Sequence, residues 1–274
     1  MKTYNKAPLP FQGQKRNFLK KFRQELKQYP EDAIYIDLFG GTGLLSHTVK
    51  SIHPEARVIY NDFDNYAVRL QNVKNTNVII SDIRNIIGDM PQKQRMPDNV
   101  KKEILSRLKL ETGFVDYKTI SSSVLFSGNY ADSFEELAKK TFYNRIVSTE
   151  FNTDGYLEGV ERVSMDYKQL FEKYKDHKNV VFILDPPYLS TDITSYNKMT
   201  YWTLATYLDI LKTIENRSFF YFTSEKSHLP ELMKWLDENN YYQSPFAGAH
   251  ISTVQNGINY STSYQDIMIH KQVC

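Results

Sequence analysis

Residues 33–52 read AIYIDLFGGTGLLSHTVKSI, and the texture changes twice within that stretch. The apolar run AIYIDLF (33–39) reads as a buried strand, GGTG (40–43) as a turn, and GLLSHTVKSI as a helix. Glycines between a strand and a helix let the backbone approach a ligand closely. The rhythm repeats downstream. RVIYND (57–62) reads as a second strand, NYAVRLQNV (65–73) as a second helix, and NVIISDI (77–83) as a third strand ending near Asp82. Strands alternating with helices predict a parallel sheet covered by helices.

The rhythm breaks from about residue 84 to 165, where the chain is more polar. Two helical stretches stand out there, roughly 99–111 and 133–148, the second opened by a Ser133…Glu136 capping box. A Ser-rich turn at 121–123 and Gly/Asn punctuation at 127–130 separate them. The sheet pattern resumes at VVFILD (180–185). A helix at about 200–216, the strand SFFYFTSE (218–225) and a helix at about 229–239 follow. Two strands near 246–254 and 260–270 close the chain, with Asn256-Gly257 as the expected hairpin turn. Upstream, residues 14–28 predict an amphipathic helix with Phe18, Phe22 and Leu26 on one face. The expected fold is α/β: a Rossmann-like sheet with an inserted, mainly helical region between its third and fourth strands. The expected segments are 1–87, 88–165 and 166–274.

Composition bounds the function. The 274 residues are 41% hydrophobic and 24% charged, ordinary for a globular chain. Neither a membrane-length apolar run nor a signal core is present, so the chain reads as cytoplasmic. The one cysteine, Cys274, excludes a disulfide within the chain. The six histidines are scattered, which argues against a metal site. Residues 1–28 hold eight basic side chains and one acid, a modest hint of a polyanion partner for which a solvated helix face is the favoured reading from charge alone.

The turn at 40–43 and the acid that follows it define a cofactor type. Asp62 ends the second strand, where a carboxylate hydrogen-bonds ribose hydroxyls. The stretch GTGLLS has Ser46 where a dinucleotide fingerprint needs glycine, and no Lys-Ser/Thr makes it a P-loop. Asp37 enters the turn and suits an ammonium group better than a pyrophosphate. A molecule with an amino acid at one end and a nucleoside at the other meets both demands, and S-adenosyl-L-methionine is such a molecule. Asp82 is a candidate for the adenine amino group of that cofactor, with a solvated strand end as the alternative.

The best core strand runs into DPPY, Asp185, Pro186, Pro187 and Tyr188. Each proline fixes φ and removes an N–H, leaving a stiff turn with free carbonyls. Active sites of parallel sheets lie at such strand ends. The Asp185 side chain and the Pro186 carbonyl offer two acceptors for the two N–H groups of an aromatic amine. Tyr188 offers a ring for stacking. That arrangement suits methylation of an adenine amine whose base has left its helix.

At these motifs the chain resembles the Dam-type, alpha-class DNA adenine N6-methyltransferases. DLFGGTG precedes DPPY with a long insert between them, which is the order of that class. PFQGQKR resembles its N-terminal motif through Phe11, Gly13 and Lys15. Gln14 stands in place of the usual second glycine, and DLFGG replaces the commoner acid-Pro-Phe form. The resemblance implies cofactor contacts at Phe11, Gly13, Lys15, Asp37, Phe39, Gly41, Gly43, Asp62 and Asp185. It makes the insert a target-recognition region acting on double-stranded DNA. Residues 91–150 carry ten basic and eight acidic side chains, no strong polyanion footprint. Lys101, Arg107, Lys139, Lys140 and Arg145 are candidates for phosphate contact there, and ordinary helix solvation is the competing reading. The polar loop 189–198 is a candidate cover for the flipped base. The same chemistry on RNA or a protein amide, an inert cofactor-binding relative, and a nicotinamide dehydrogenase are the alternatives. Ser46 and the DPPY turn count against the last. A cognate restriction endonuclease, or none, and a monomer or weak dimer complete the expected partners.

Overall fold

The computed structural model describes residues 2–126, 128–188, 203–239, 244–257 and 263–273. They divide into two compact units: residues 1–5, 15–64 and 157–274, and residues 6–14 with 65–156. Cys274, the loop 189–198 and the hairpin tip lie outside the described residues.

The first unit is built on a seven-stranded sheet ordered β3-β2-β1-β4-β5-β7-β6. Its strands are β1 (Ile34–Asp37), β2 (Arg57–Asn61), β3 (Glu161–Val163), β4 (Val180–Leu184), β5 (Ser218–Ser224), β6 (His250–Gly257) and β7 (Ser263–Lys271). The pairs from β3 through β5 are parallel, while β7 is antiparallel to both β5 and β6. The order of the strands reverses between β1 and β4, the position where sheets of this type bind ligands.

Alternation along the strands gives the sheet two apolar faces. Ile36, Phe182, Leu184, Phe219 and Tyr221 meet α8 (Tyr167–Tyr174), α9 (Leu204–Ile214) and Leu229 of α10 (Leu229–Asn239). On the other face, Phe18 of a 3-10 turn (Arg16–Phe18) and Phe22 of α1 (Leu19–Leu26) pack edge-on against Phe222, and Phe22 also against Phe220. All four rings are fully buried, each worth about 2–3 kcal/mol relative to exposure. The helix after the glycine turn is α2 (Leu44–Ile52).

The second unit is helical: α3 (Tyr66–Gln71), α4 (Val73–Ile87), α5 (Asp98–Lys109), α6 (Tyr117–Val124) and α7 (Phe134–Ala138). Its core gathers Ile79, Ile80, Ile83, Ile104, Leu108, Ile120 and Leu137. An ion pair is sunk into it. Arg69 Nε lies 3.0 Å from both Asp116 oxygens, and its Nη2 donates to Thr119 Oγ1 and to the Pro10 carbonyl. Asp116 also caps α6 by accepting from the Thr119 amide.

Several expectations are corrected. NVIISDI is part of helix α4, not a strand. Thr76, Ile79, Ile80, Ile83 and Ile87 are its buried positions, a stripe at helical spacing. The packing of that stripe overrides the strand preference of isoleucine. The third strand is instead the short ERV at 161–163, so the excursion falls between the second and third strands. The second unit starts at residue 65 and not near 88, and it includes residues 6–14. The expected helix at 133–148 stops at Ala138, because the chain beyond runs extended, with the Tyr143 amide bonded to the Val124 carbonyl and the Arg145 amide to that of Ser123. Ser133 does cap α7, but Glu136 reaches the amide of Asp132 and not that of Ser133. Ser121–Ser123 lie inside α6. Asn256 and Gly257 are paired within β6, opposite Tyr264 and Ser263, and so do not form the turn.

Candidate active site

Strands β1 and β4 bring the two sequence motifs side by side. Asp37 pairs with Ile183, and the Leu38 amide donates to the Ile183 carbonyl at 3.0 Å. Asp37, Ile183 and Asp185 share the sheet face that carries α1 and α2, because side chains alternate along a strand. Asp37 is fully buried. Its Oδ2 accepts from Ser46 Oγ of α2 at 2.7 Å, and its Oδ1 has no hydrogen-bond partner. Burial pushes its carboxyl up to about 7, the Ser46 hydroxyl opposes that rise, and the Asp185 charge adds to it.

The glycine turn is tight because the next strand leans on it. A Cβ on Gly40 would collide with the Tyr60 ring and the Asn61 carbonyl. Gly43, at φ +74°, would place one against Leu157. The Tyr60 hydroxyl lies 2.7 Å from the Gly41 carbonyl and 3.1 Å from Asp62 Oδ1, so one phenol bridges the turn and the acid after β2. Asp62 is fully buried, and its Oδ2 accepts from Arg162 Nε of β3 at 2.7 Å.

At the end of β4, Lys15 Nζ lies 2.6 Å from Asp185 Oδ2. The same ammonium sits 5.4 Å from the centre of the Tyr188 ring. Pro186 is buried between them in sequence. Burial pushes the Asp185 carboxyl above the usual range despite the pull of Lys15. One strand over, Tyr221 is fully buried with its hydroxyl unpartnered, and burial pushes that phenol well above its ordinary value. A separate cavity of about 460 Å³, lined by Thr223, Met233, Ile251, Ile267 and Ile269, contains none of these groups.

Asp37, Phe39, Gly41, Gly43, Asp62 and Asp185 thus fall at the carboxyl ends of β1, β2 and β4, and Lys15 reaches them through Asp185. Phe39 packs against Tyr167 of α8. Phe11 and Gly13 belong to the second unit, where the Phe11 ring lies edge-on to Tyr66 at 6.0 Å. Tyr66 also bonds both the amide and the carbonyl of Leu9. Gln14, in place of the expected glycine, holds the same loop by bonding Ala7 and Leu9. Asp82 is on α4, bound to Arg107 Nε at 2.8 Å, so the strand end that made it a cofactor candidate does not exist. Of the candidate phosphate ligands, Arg107 holds both Asp82 and Glu111. Lys101 donates to the Lys140 carbonyl. Lys139 is exposed, and Arg145 stands over the Phe126 ring.

A family model described as D12 class N6 adenine-specific DNA methyltransferase matches residues 11–244. The chain belongs to that family. It is also similar to a "Putative methyltransferase" of Haemophilus influenzae, 35% identical over 98% of this chain and 93% of that protein. Among solved structures, it is similar to a precorrin-6y C5,15-methyltransferase from Geobacter metallireducens, at 9% identity over 94% of this chain and 90% of that one, with a TM-score of 0.39. A tRNA m1G37 methyltransferase from M. jannaschii aligns at 11% identity over 98% of this chain and 52% of that one, with a TM-score of 0.36. At those scores the structural likeness adds nothing to the sheet order. No helix among the described residues is long and apolar enough to cross a membrane.

Three residues of this D12-family methyltransferase escaped the sequence reading of the site: Tyr60, Arg162 and Tyr221. Ser46 was visible only as a departure from a dinucleotide fingerprint, yet its hydroxyl holds Asp37. Nothing in ERV marked Arg162 as the partner of Asp62.

Proposed function

We propose that this chain transfers a methyl group from S-adenosyl-L-methionine to the N6 amine of adenine in double-stranded DNA, acting on a base turned out of the helix. The observation that carries the reading is the buried Asp37 beside the Lys15–Asp185 pair. Asp37 has a buried oxygen with no partner, and an ammonium group would satisfy it. Asp62, buried at the end of β2 and held by Tyr60 and Arg162, is the acceptor proposed for the ribose hydroxyls. Phe11 and Gly13, which belong to the second unit, are proposed as cofactor contacts on the motif resemblance of PFQGQKR alone. The cofactor, when bound, supplies an electrophilic methyl group.

The residues of the DPPY turn handle the amine. Asp185 and the Pro186 carbonyl accept from its two N–H groups, which localises the nitrogen lone pair. Positive charge then grows on that nitrogen, and the Asp185 carboxylate opposes it. Burial raises the Asp185 carboxyl, and the Lys15 ammonium opposes that rise and so favours its charged form. Tyr188 stacks on the base. The prolines hold the acceptors in place without reorganisation.

The test is direct. The protein is incubated with S-adenosylmethionine and unmethylated DNA, the DNA is digested, and methylated nucleosides are measured by mass spectrometry. N6-methyladenine formed by the parent chain and not by Asp185→Ala is the expected result. Methylation of RNA or a protein amide, with DNA left unmodified, would overturn the reading.

A further inference from the structure

Strands β5 and β7 run on past the end of β4. Leu184, the last residue of β4, pairs with Tyr221, while β5 continues to Ser224. Three more residues raise β5 by roughly 10 Å at the usual strand rise. β7 begins at that same edge. Asp266 stands opposite Ser224, the Glu225 amide donates to the Gln265 carbonyl at 2.9 Å, and Ser224 Oγ donates to that carbonyl at 3.2 Å. The two strands form a wall beside the catalytic turn.

Alternation settles which face the wall presents. Phe222 is opposite Met268 and packs on Phe18 and Phe22. Ser224 shares that face, and so do Asp266 and Tyr264 on β7. Lys15, three residues before Phe18, reaches Asp185 on the same face. The charges agree, since Asp266 raises Asp185 and Lys15 lowers the Tyr264 phenol against the rise from burial. At the top of the wall, the exposed Lys226 holds its Nζ 3.7 Å from the centre of the Tyr264 ring. This is well inside the ~6 Å reach of such contacts. Lys226 makes no ion pair among the described residues, and its ammonium is exposed.

We propose that Tyr264 and Lys226 form a nucleotide subsite beside the DPPY turn, Lys226 binding a backbone phosphate of the target nucleotide and Tyr264 lying against its sugar and base. The inference rests on the reading of DNA as substrate. A lysine is a compact charge suited to a phosphate, and the ring below it limits where that charge can go. The subsite is independent of sequence, because phosphate and ring faces are common to every nucleotide.

The test uses the full chain and a fluorescein-labelled unmethylated duplex, with binding followed by anisotropy from about 50 to 200 mM salt. Lys226→Ala is expected to weaken binding and to lower the slope of log affinity against log salt by about one. Lys226→Arg should keep the slope. Binding of S-adenosylmethionine, followed by calorimetry, and the melting temperature should be unchanged in both. Tyr264→Leu should raise KM for DNA more than it lowers kcat, and Tyr264→Phe should restore it. An unchanged salt slope in Lys226→Ala, or an equal loss of cofactor binding, would overturn the subsite. A parent chain that neither binds nor methylates DNA sinks the reading beneath it. A DNA-active parent with an unmoved Lys226→Ala sinks the subsite alone.

Discussion

Lys15 Nζ and Asp185 Oδ2 are 2.6 Å apart, and the two side chains are only 7% and 19% exposed. One comes from just ahead of the first helix and the other from the end of the central strand. The pair therefore fastens the N-terminal segment to the DPPY turn.

Removing the lysine should leave a largely buried carboxylate without its cation. For Lys15→Gln, a loss of about 2–4 kcal/mol of stability is expected at pH 8, below the full buried-pair value because Asp185 is partly exposed. The sign follows from Asp185, whose folded pKa is already raised and rises further without Lys15. The penalty is present above that pKa and fades in acid, where the carboxyl is neutral in both states. Urea unfolding at pH 8 and pH 5 measures this. Equal losses at both pH values would contradict it.

Asp37 gives a second pH dependence, of opposite sense for stability and for ligand. Its folded pKa of about 7 lies above the ordinary carboxylate value. Its contribution to apo stability is therefore full in acid and is lost as pH rises toward and through 7. Binding of an ammonium group needs the ionised form, so S-adenosylmethionine affinity should weaken as pH falls from 8 to 6. Calorimetry across that range reads it, and Asp37→Asn should bind weakly with a flat profile. A parent profile as flat as the variant's would rule out Asp37 as the ammonium partner.

The Tyr60 hydroxyl joins the glycine turn to Asp62 while its ring fills the niche at Gly40. Tyr60→Phe keeps the ring and loses the bridge. Cofactor affinity is expected to drop about fivefold, the size of one net hydrogen bond, with little change in melting temperature. Gly40→Ala should instead lower the melting temperature, because the new methyl meets a ring and a backbone carbonyl. The reverse ranking in thermal denaturation and binding would show that the two effects are misassigned.

In the second unit, Asp116 is 1% and Arg69 7% exposed at the side chain. Arg69→Met removes a buried cation, a caged carboxylate's only ionic partner among the described residues, and a donor to the Pro10 carbonyl. About 3–5 kcal/mol of stability should go. Arg69→Met with Asp116→Leu should recover part of it, since a well-packed apolar pair avoids the lone charge. Chemical denaturation of the single and double variants decides, and a double variant worse than the single would count against this account.

The sheet was legible wherever apolar residues ran together. AIYIDLF, RVIYND, VVFILD and SFFYFTSE all became strands, because burial on both faces writes itself as an uninterrupted run. ERV was illegible for the converse reason: an edge strand of three residues, two of them exposed and charged, carries no apolar signature. NVIISDI misled because three adjacent β-branched residues imitate a strand, while the helical stripe needed Thr76 and Ile87 to be counted too. The acids of the site were legible as residues at strand ends. Their partners were not, since Arg162 and Tyr60 lack any motif and reach Asp62 only after the chain has folded.

The meeting of β1 and β4 also has a consequence for how the chain is made. The two central strands are neighbours in the sheet, yet about 140 residues separate them in the chain. A ribosome delivers β1 and β2 long before β4 emerges, and β3 comes after an entire helical unit. Until then β1 has one open edge of unpaired backbone groups, and the pairing that closes it is among the slowest kinds to form. A nascent or truncated chain ending before Val180 would hold half a sheet with its sticky middle outward, a species prone to aggregate. The strand that carries the DPPY turn is thus also the one that ends this vulnerable interval.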